Sequence, residues 1–245
     1  MVESRGLKRR LPAGIIDASF ASLATFAVGL AAVNLLADTE RGVYELFFTA
    51  FLLGGVLPRN LIFTPAEVDA VGFPLGMRIG LINRTLRLGA LPALVGLLSA
   101  LLAALVAAPL TTADVIIPFT LTAGIAGFLS PVQDHVRKML HIATRSWLAA
   151  TVSIAQFVVA VVAIFGMMSL DIEIAWIPFG ALSLANLTSL SLGWLLTRRF
   201  QHHSPEERSL RFSSLARRGR GLVLQAAAPS LSAFLAATII TRLAS

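Results

Sequence analysis

The stretch LGALPALVGLLSALLAALVAAP at 88–109 holds no charged residue and a single hydroxyl group. Coiled at about 1.5 Å per residue, a segment of this length reaches across the roughly 30 Å of hydrocarbon in a bilayer. A helix satisfies its own backbone amides, so it can sit in lipid, and this one has no polar face to turn toward water. Outward from it the pattern recurs, giving spans at roughly 14–36, 43–64, 88–109, 115–133, 147–168, 174–197 and 222–241. The third through seventh lie in charge-free windows of 19 residues or more. Composition agrees: 56% of the 245 residues are hydrophobic and 13% charged, against roughly 25% charged in soluble domains. The sequence predicts an all-α, polytopic membrane helix bundle of about seven transmembrane helices.

Basic residues set the orientation. With the N-terminus in the cytoplasm, eighteen of the 20 Lys and Arg residues fall on the inner side, and only Arg41 and Arg242 fall outside. The short outer loops instead carry Asp38, Glu40, Asp114, Asp171 and Glu173. The basic N-terminal run followed by an apolar one resembles a signal peptide. The twenty uncharged residues between Asp17 and Asp38 are too many for that, so the segment reads as a retained first helix. Trp147, Trp176, Trp194 and Tyr44 stand at predicted span ends, where interfacial aromatic rings are expected. The net charge of +7 fits loop orientation and contact with anionic membrane lipids better than nucleic-acid binding, and no nucleic-acid partner is expected.

The second span is the irregular one. VYELFFTAFLLGGVLPRNLIFTP carries Glu45 near one end and Arg59 toward the other, with Pro58 between, so a break at Pro58 is expected with Arg59 turned into the protein. Residues 66–87 read as a cytoplasmic linker or an interfacial amphipathic helix leading into the third span.

Chemistry is limited by what is missing. Cysteine is absent, which removes disulfides, thiolate metal sites and cysteine nucleophiles. The sequence has no P-loop, HExxH or GxSxG motif and no aspartate pair with metal-site spacing, so no enzyme, cofactor or metal site is expected. His135, His141, His202 and His203 all read as loop residues.

The chain also resembles itself. LKRR at 7–10 and SLATF at 22–26 recur as LARR at 215–218 and SLSAF at 230–234, the same offset in both cases. A basic run leads into a helix of matching polarity each time, six spans apart, so the repeats would be parallel in the membrane. The expected organisation is a six-helix bundle at 1–200, a basic cytoplasmic linker at 201–221, and the first helix of an apparently incomplete second bundle at 222–245. That makes a second half-transporter chain an expected partner.

On ASFASLATFAVGLAAVNLLADTERGVYELFFTAFLLGGVLPRNLIFTP at 18–65 and GFLSPVQDHVRKMLHIATRSWLAATVSIAQF at 127–157, the chain resembles the polysaccharide-export branch of the multidrug/oligosaccharidyl-lipid/polysaccharide flippase superfamily, the O-antigen and teichoic-acid type. The resemblance implies two six-helix lobes that alternately expose a polar cavity and move a lipid-linked glycan across the inner (plasma) membrane, with glycan assembly enzymes as further partners. Two other readings stand beside it: a cation-coupled drug or metabolite antiporter of the same superfamily, and a non-transporting scaffold or truncated remnant.

An ionisable residue inside a span costs about 2.5–3.5 kcal/mol on insertion scales, so each one needs an account. Arg59, with Asn60 beside it, is the first candidate for substrate binding, since a guanidinium matches a diphosphate; it could equally snorkel to the headgroups. Asp17 is either a cavity carboxylate or a local partner of Arg9 and Arg10. Asn34, Gln156 and Asn186 would join helices or contact sugar. Asp134 and Arg137, three apart, form either part of a cytoplasmic gate or a local brace.

Overall fold

The computed structural model describes residues 2–198 and 210–244, with side chains at 11–198 and 210–243. The N-terminal arginines' side chains, residues 199–209 with His202 and His203, and Ser245 lie outside what is described. The elements are α1 (Val2–Leu35), α2 (Asp38–Pro58), a π-helical turn (Arg59–Phe63), α3 (Thr64–Val71), α4 (Leu75–Arg78), α5 (Leu81–Ala93), α6 (Val95–Ala107), α7 (Ala113–Ile142), α8 (Ser146–Ser169), a 3-10 turn (Ile174–Trp176), α9 (Ile177–Arg198) and α10 (Phe212–Ala244). There is no strand among the described residues. Seven helical stretches are long and apolar enough to cross a membrane: Leu11–Leu35, Asp38–Val71, Leu75–Ala107, Ala113–Ile142, Ser146–Ser169, Ile174–Arg198 and Phe212–Leu243. The protein is a polytopic α-helical membrane protein.

Several helices run further than their apolar cores, for identifiable reasons. Pro58 has no N–H and its ring crowds the carbonyl four residues back, so the ladder slips by one residue: Thr64 N–H donates to Arg59 O, five positions earlier. The second span is therefore bulged at Pro58 but continues as helix to Val71. The expected linker at 66–87 is mostly helical, and Arg78 fastens its turn by donating to the carbonyls of Val71, Phe73 and Ile142. α7 continues to Ile142, well past 133, because its polar residues pair with one another and with adjacent helices. α10 starts at Phe212 rather than 222, where Arg84 donates to Leu210 O and Arg218 forms a two-pronged pair with Asp69.

α7 is the central element, packed on α2, α6, α8 and α9, while α1 lies against α8 and α9. Gly54, Gly96 and Gly127 let α2, α6 and α7 cross closely: a Cβ on Gly54 would sit 2.8 Å from Gly96 Cα, and one on Gly96 would sit 2.7 Å from Phe128 N. Toward the outer end, Phe47, Phe119 and Phe179 form an aromatic core. Tyr44 belongs to it, 5.1 Å from Phe179 between centroids, and is buried rather than interfacial as expected. Trp147 and Trp194 are exposed at span ends.

α10 rests on α2 and the π turn and is otherwise largely exposed. Its approach depends on Gly219, where any Cβ would overlap the carbonyl oxygens of Asn60 and Leu61. A π turn would aim the amide of residue 65 at the Asn60 carbonyl, but Pro65 has none, which leaves that oxygen turned toward the glycine. Thr241 Oγ1 donates to Gly42 O at the other end. α1 and α2, by contrast, scarcely touch.

Candidate functional site

The gap between α1 and α2 is a cleft with α7 at its back. Its outer part, about 780 Å³, is apolar and lined by Phe26, Leu30 and Val33 from α1 and Phe48 from α2, with Glu45 at its edge. Its inner part, about 250 Å³, is lined by Arg59, Ser130, Gln133, Asp134, Arg137, Lys138 and Gln156. Ala21, Thr25 and Arg137 border both parts, so the two form one path, apolar at one end and charged at the other.

Helix geometry builds the charged end. Asp134, Arg137 and Lys138 occupy positions i, i+3 and i+4 of α7 and so share a face. Arg137 Nη2 donates to Asp134 Oδ1 at 2.6 Å, and Lys138 Nζ lies 3.1 Å from Oδ2. Arg59 reaches the same carboxylate from the π turn, its Nε 3.7 Å from Oδ2. The Arg59 side chain is 42% exposed, against 16% for Asp134 and for Arg137. The Nε atoms of Arg59 and Arg137 are both buried without a hydrogen-bond partner. The expected pair of Asp134 and Arg137 is thus present, within a larger cluster, and Arg59 faces the cleft through that cluster.

Asp17 is tied in from the other wall. Its carboxylate accepts from Ser153 Oγ at 2.5 Å, bonds His141 Nε2 at 2.8 Å, and lies 3.7 Å from Arg137 Nη1. Arg137 Nη1 also donates to Ser153 Oγ at 3.4 Å. Asp17 therefore joins α1 to α7 and α8, partners that its sequence neighbours did not suggest. His141 sits in the last turn of α7 rather than in a loop.

His135, also expected in a loop, is 1% exposed inside α7. Its ring stacks on Phe63 with centroids 4.4 Å apart, Nδ1 lies 2.9 Å from Glu67 Oε1, and Nε2 lies 2.7 Å from Thr85 Oγ1. This trio clamps α3 and α5 onto α7. On another face of α7, Gln133 Nε2 bonds Gln156 Oε1 at 3.3 Å and Ser189 Oγ at 2.9 Å, and Gln156 Nε2 bonds Asn186 Oδ1 at 2.8 Å. The amides thus join α7, α8 and α9.

Two candidates lie apart from the cluster. Asn34 is exposed near the outer end of α1 and donates to Leu30 O of its own helix. Asn60 donates to Val56 O and presents its backbone to Gly219. Lys138 and His141, which complete the cluster, were not singled out beforehand. Their i+4 spacing from Asp134 and Arg137 was the available signal, hidden by ending the span at 133. No group of three His, Asp or Glu residues suited to a metal occurs among the described residues.

The fold and cleft define a class, a multi-pass helical membrane protein with an amphipathic cleft open at its side. Comparison with protein-family models, curated proteins and solved structures gives no match.

Proposed function

We propose that the protein moves a lipid-linked oligosaccharide or polysaccharide precursor across the plasma membrane by alternating access, as a transporter rather than an enzyme. The carrying observation is the continuity of the α1–α2 cleft, in which a cationic pocket at Arg59, Arg137 and Lys138 opens into an apolar channel lined by Phe26, Leu30 and Phe48. An isoprenoid diphosphate has the matching halves: an apolar tail for the channel and oxygens that accept paired hydrogen bonds from guanidinium groups. The sparse contact between α1 and α2 leaves a lateral opening for the tail. The resemblance of 18–65 and 127–157 to polysaccharide flippases supports the same substrate class. Replacing Arg59 by Ala should strongly reduce export of the glycan in cells that rely on this protein while leaving its amount in the membrane unchanged. Unchanged export would remove Arg59 from the mechanism.

A second reading, a cation-coupled antiporter, draws on Asp17, a buried carboxylate held by groups from two other helices. Loss of proton-dependent efflux in Asp17→Asn with glycan export intact would favour it.

A further inference from the structure

We propose that Asp134 takes the place of the substrate's phosphate in the unloaded protein, and that Arg59 passes from this carboxylate to the incoming headgroup. The inference rests on the reading of the cleft as a path for a phosphate-bearing lipid, and it names a residue that sets the affinity of that path.

The cations around Asp134 are not equally held. Arg137 and Lys138 share its helix, and the i+3 and i+4 spacing places them beside it, at 2.6 and 3.1 Å. Arg59 comes from another element and stands 3.7 Å away, beyond hydrogen-bond reach, with its Nε unpartnered. It meets a carboxylate whose two oxygens already have closer partners. Of the three cations, Arg59 has the least to lose by exchanging partners and the most donors to offer.

Charge balance points the same way. Arg59, Arg137 and Lys138 face Asp134 and Asp17, three cations against two carboxylates. The cluster can accept further negative charge without expelling a carboxylate. The adjoining pocket of about 250 Å³ has room for it, since a water molecule takes roughly 30 Å³ of liquid. Phosphate oxygens accept from a guanidinium in the same forked geometry as a carboxylate, so Asp134 would be a fitting substitute when the pocket is empty.

The sign of one mutation separates this role from a plain brace. If Asp134 competes with phosphate for Arg59, removing its charge strengthens anion binding. If it only holds Arg59 in position, the same change weakens binding.

The test uses the full chain in lipid nanodiscs, with farnesyl diphosphate as the lipid probe and inorganic pyrophosphate as the headgroup alone. Asp134→Asn should bind farnesyl diphosphate about tenfold more tightly than wild type, the effect of deleting one nearby like charge in a partly wet site. Asp134→Glu, which keeps the charge, should stay near wild type. Equal or weaker binding by folded Asp134→Asn overturns the exchange and leaves the lipid path standing. Binding of farnesyl diphosphate by neither protein overturns both. Pyrophosphate binding as tight as farnesyl diphosphate, with the same gain in Asp134→Asn, keeps the exchange but points to free phosphate as its source. Should Asp134→Asn fail to fold, the wild-type chain still decides: farnesyl diphosphate should increase carbodiimide labelling of Asp134, located by mass spectrometry, and unchanged labelling contradicts the exchange.

Discussion

Gln133 and Asp134 are neighbours in sequence but anchor two different polar regions. Gln133 leads into a network with Gln156, Asn186 and Ser189, all uncharged and buried among α7, α8 and α9. Asp134 leads into a charged cluster on the open cleft, with one long contact and two guanidinium nitrogens left unpartnered. The first network's hydrogen bonds run between helices, as helix-joining amides in membranes do, with Asn186 Nδ2 left over and Gln133 and Gln156 reaching the wall of the inner pocket. The second lines the open pocket and is reachable through the half-exposed Arg59 side chain, although its two unpartnered Nε atoms are themselves buried. Unused donors do not separate the regions, since Asn186 Nδ2 is unpartnered as well; the charge that faces the cleft does.

Mutations can break this contrast. The largest effect should fall on function: Arg59→Ala is expected to slow lipid-linked glycan movement in reconstituted vesicles by about 10- to 100-fold, the worth of charge-assisted hydrogen bonds. Its thermal unfolding in detergent should stay close to wild type. A large loss of stability instead would make Arg59 a structural residue. Asp17→Asn should act on the fold first. It weakens a carboxylate that joins α1 to α7 and α8, and a cost of about 1–3 kcal/mol is expected in reversible unfolding.

The amide network should respond differently. Gln133→Leu and Gln156→Leu are expected to lower stability by about 1 kcal/mol each, with a coupling of about 0.6 kcal/mol in a double-mutant cycle; both side chains reach the pocket wall, so transport should fall, but less than in Arg59→Ala. Transport losses as large as those of Arg59→Ala would remove the distinction between the two regions. The smallest effect belongs to Arg218→Gln, which breaks the partly exposed pair with Asp69. No more than about 1 kcal/mol should be lost, seen as earlier proteolysis of α10 rather than global unfolding.

The spans were legible because lipid leaves a helix one way to hide its backbone, and 88–109 shows that without ambiguity. Helix ends were not, because hydropathy marks where apolar residues stop rather than where hydrogen bonding stops. α7 passes through Asp134, His135, Arg137 and Lys138 because each finds a partner at helical spacing or on a neighbouring element. That Pro58 disturbs the second span was readable, since proline acts on its own backbone, but the helix bulges there and runs on instead of breaking, with Arg59 facing the cleft. Asp17 showed only that it needed a partner; His141 and Ser153, more than a hundred residues away, become its neighbours through packing. Tyr44 was misplaced for the same reason, since the aromatic cluster that buries it comes from α7 and α9 as well as α2.

The absence of native cysteine gives a direct test of the cleft, because a single introduced thiol can be labelled without background. Thr25 borders both the charged and the apolar parts, whereas Leu170 is exposed at the far end of α8. In vesicles containing a long-chain isoprenoid diphosphate, labelling of Thr25→Cys by a water-soluble maleimide should slow several-fold relative to vesicles without it, while Leu170→Cys should be unaffected. Equal rates at Thr25 in both vesicles, or equal slowing at both positions, would contradict a lipid-phosphate path between α1 and α2.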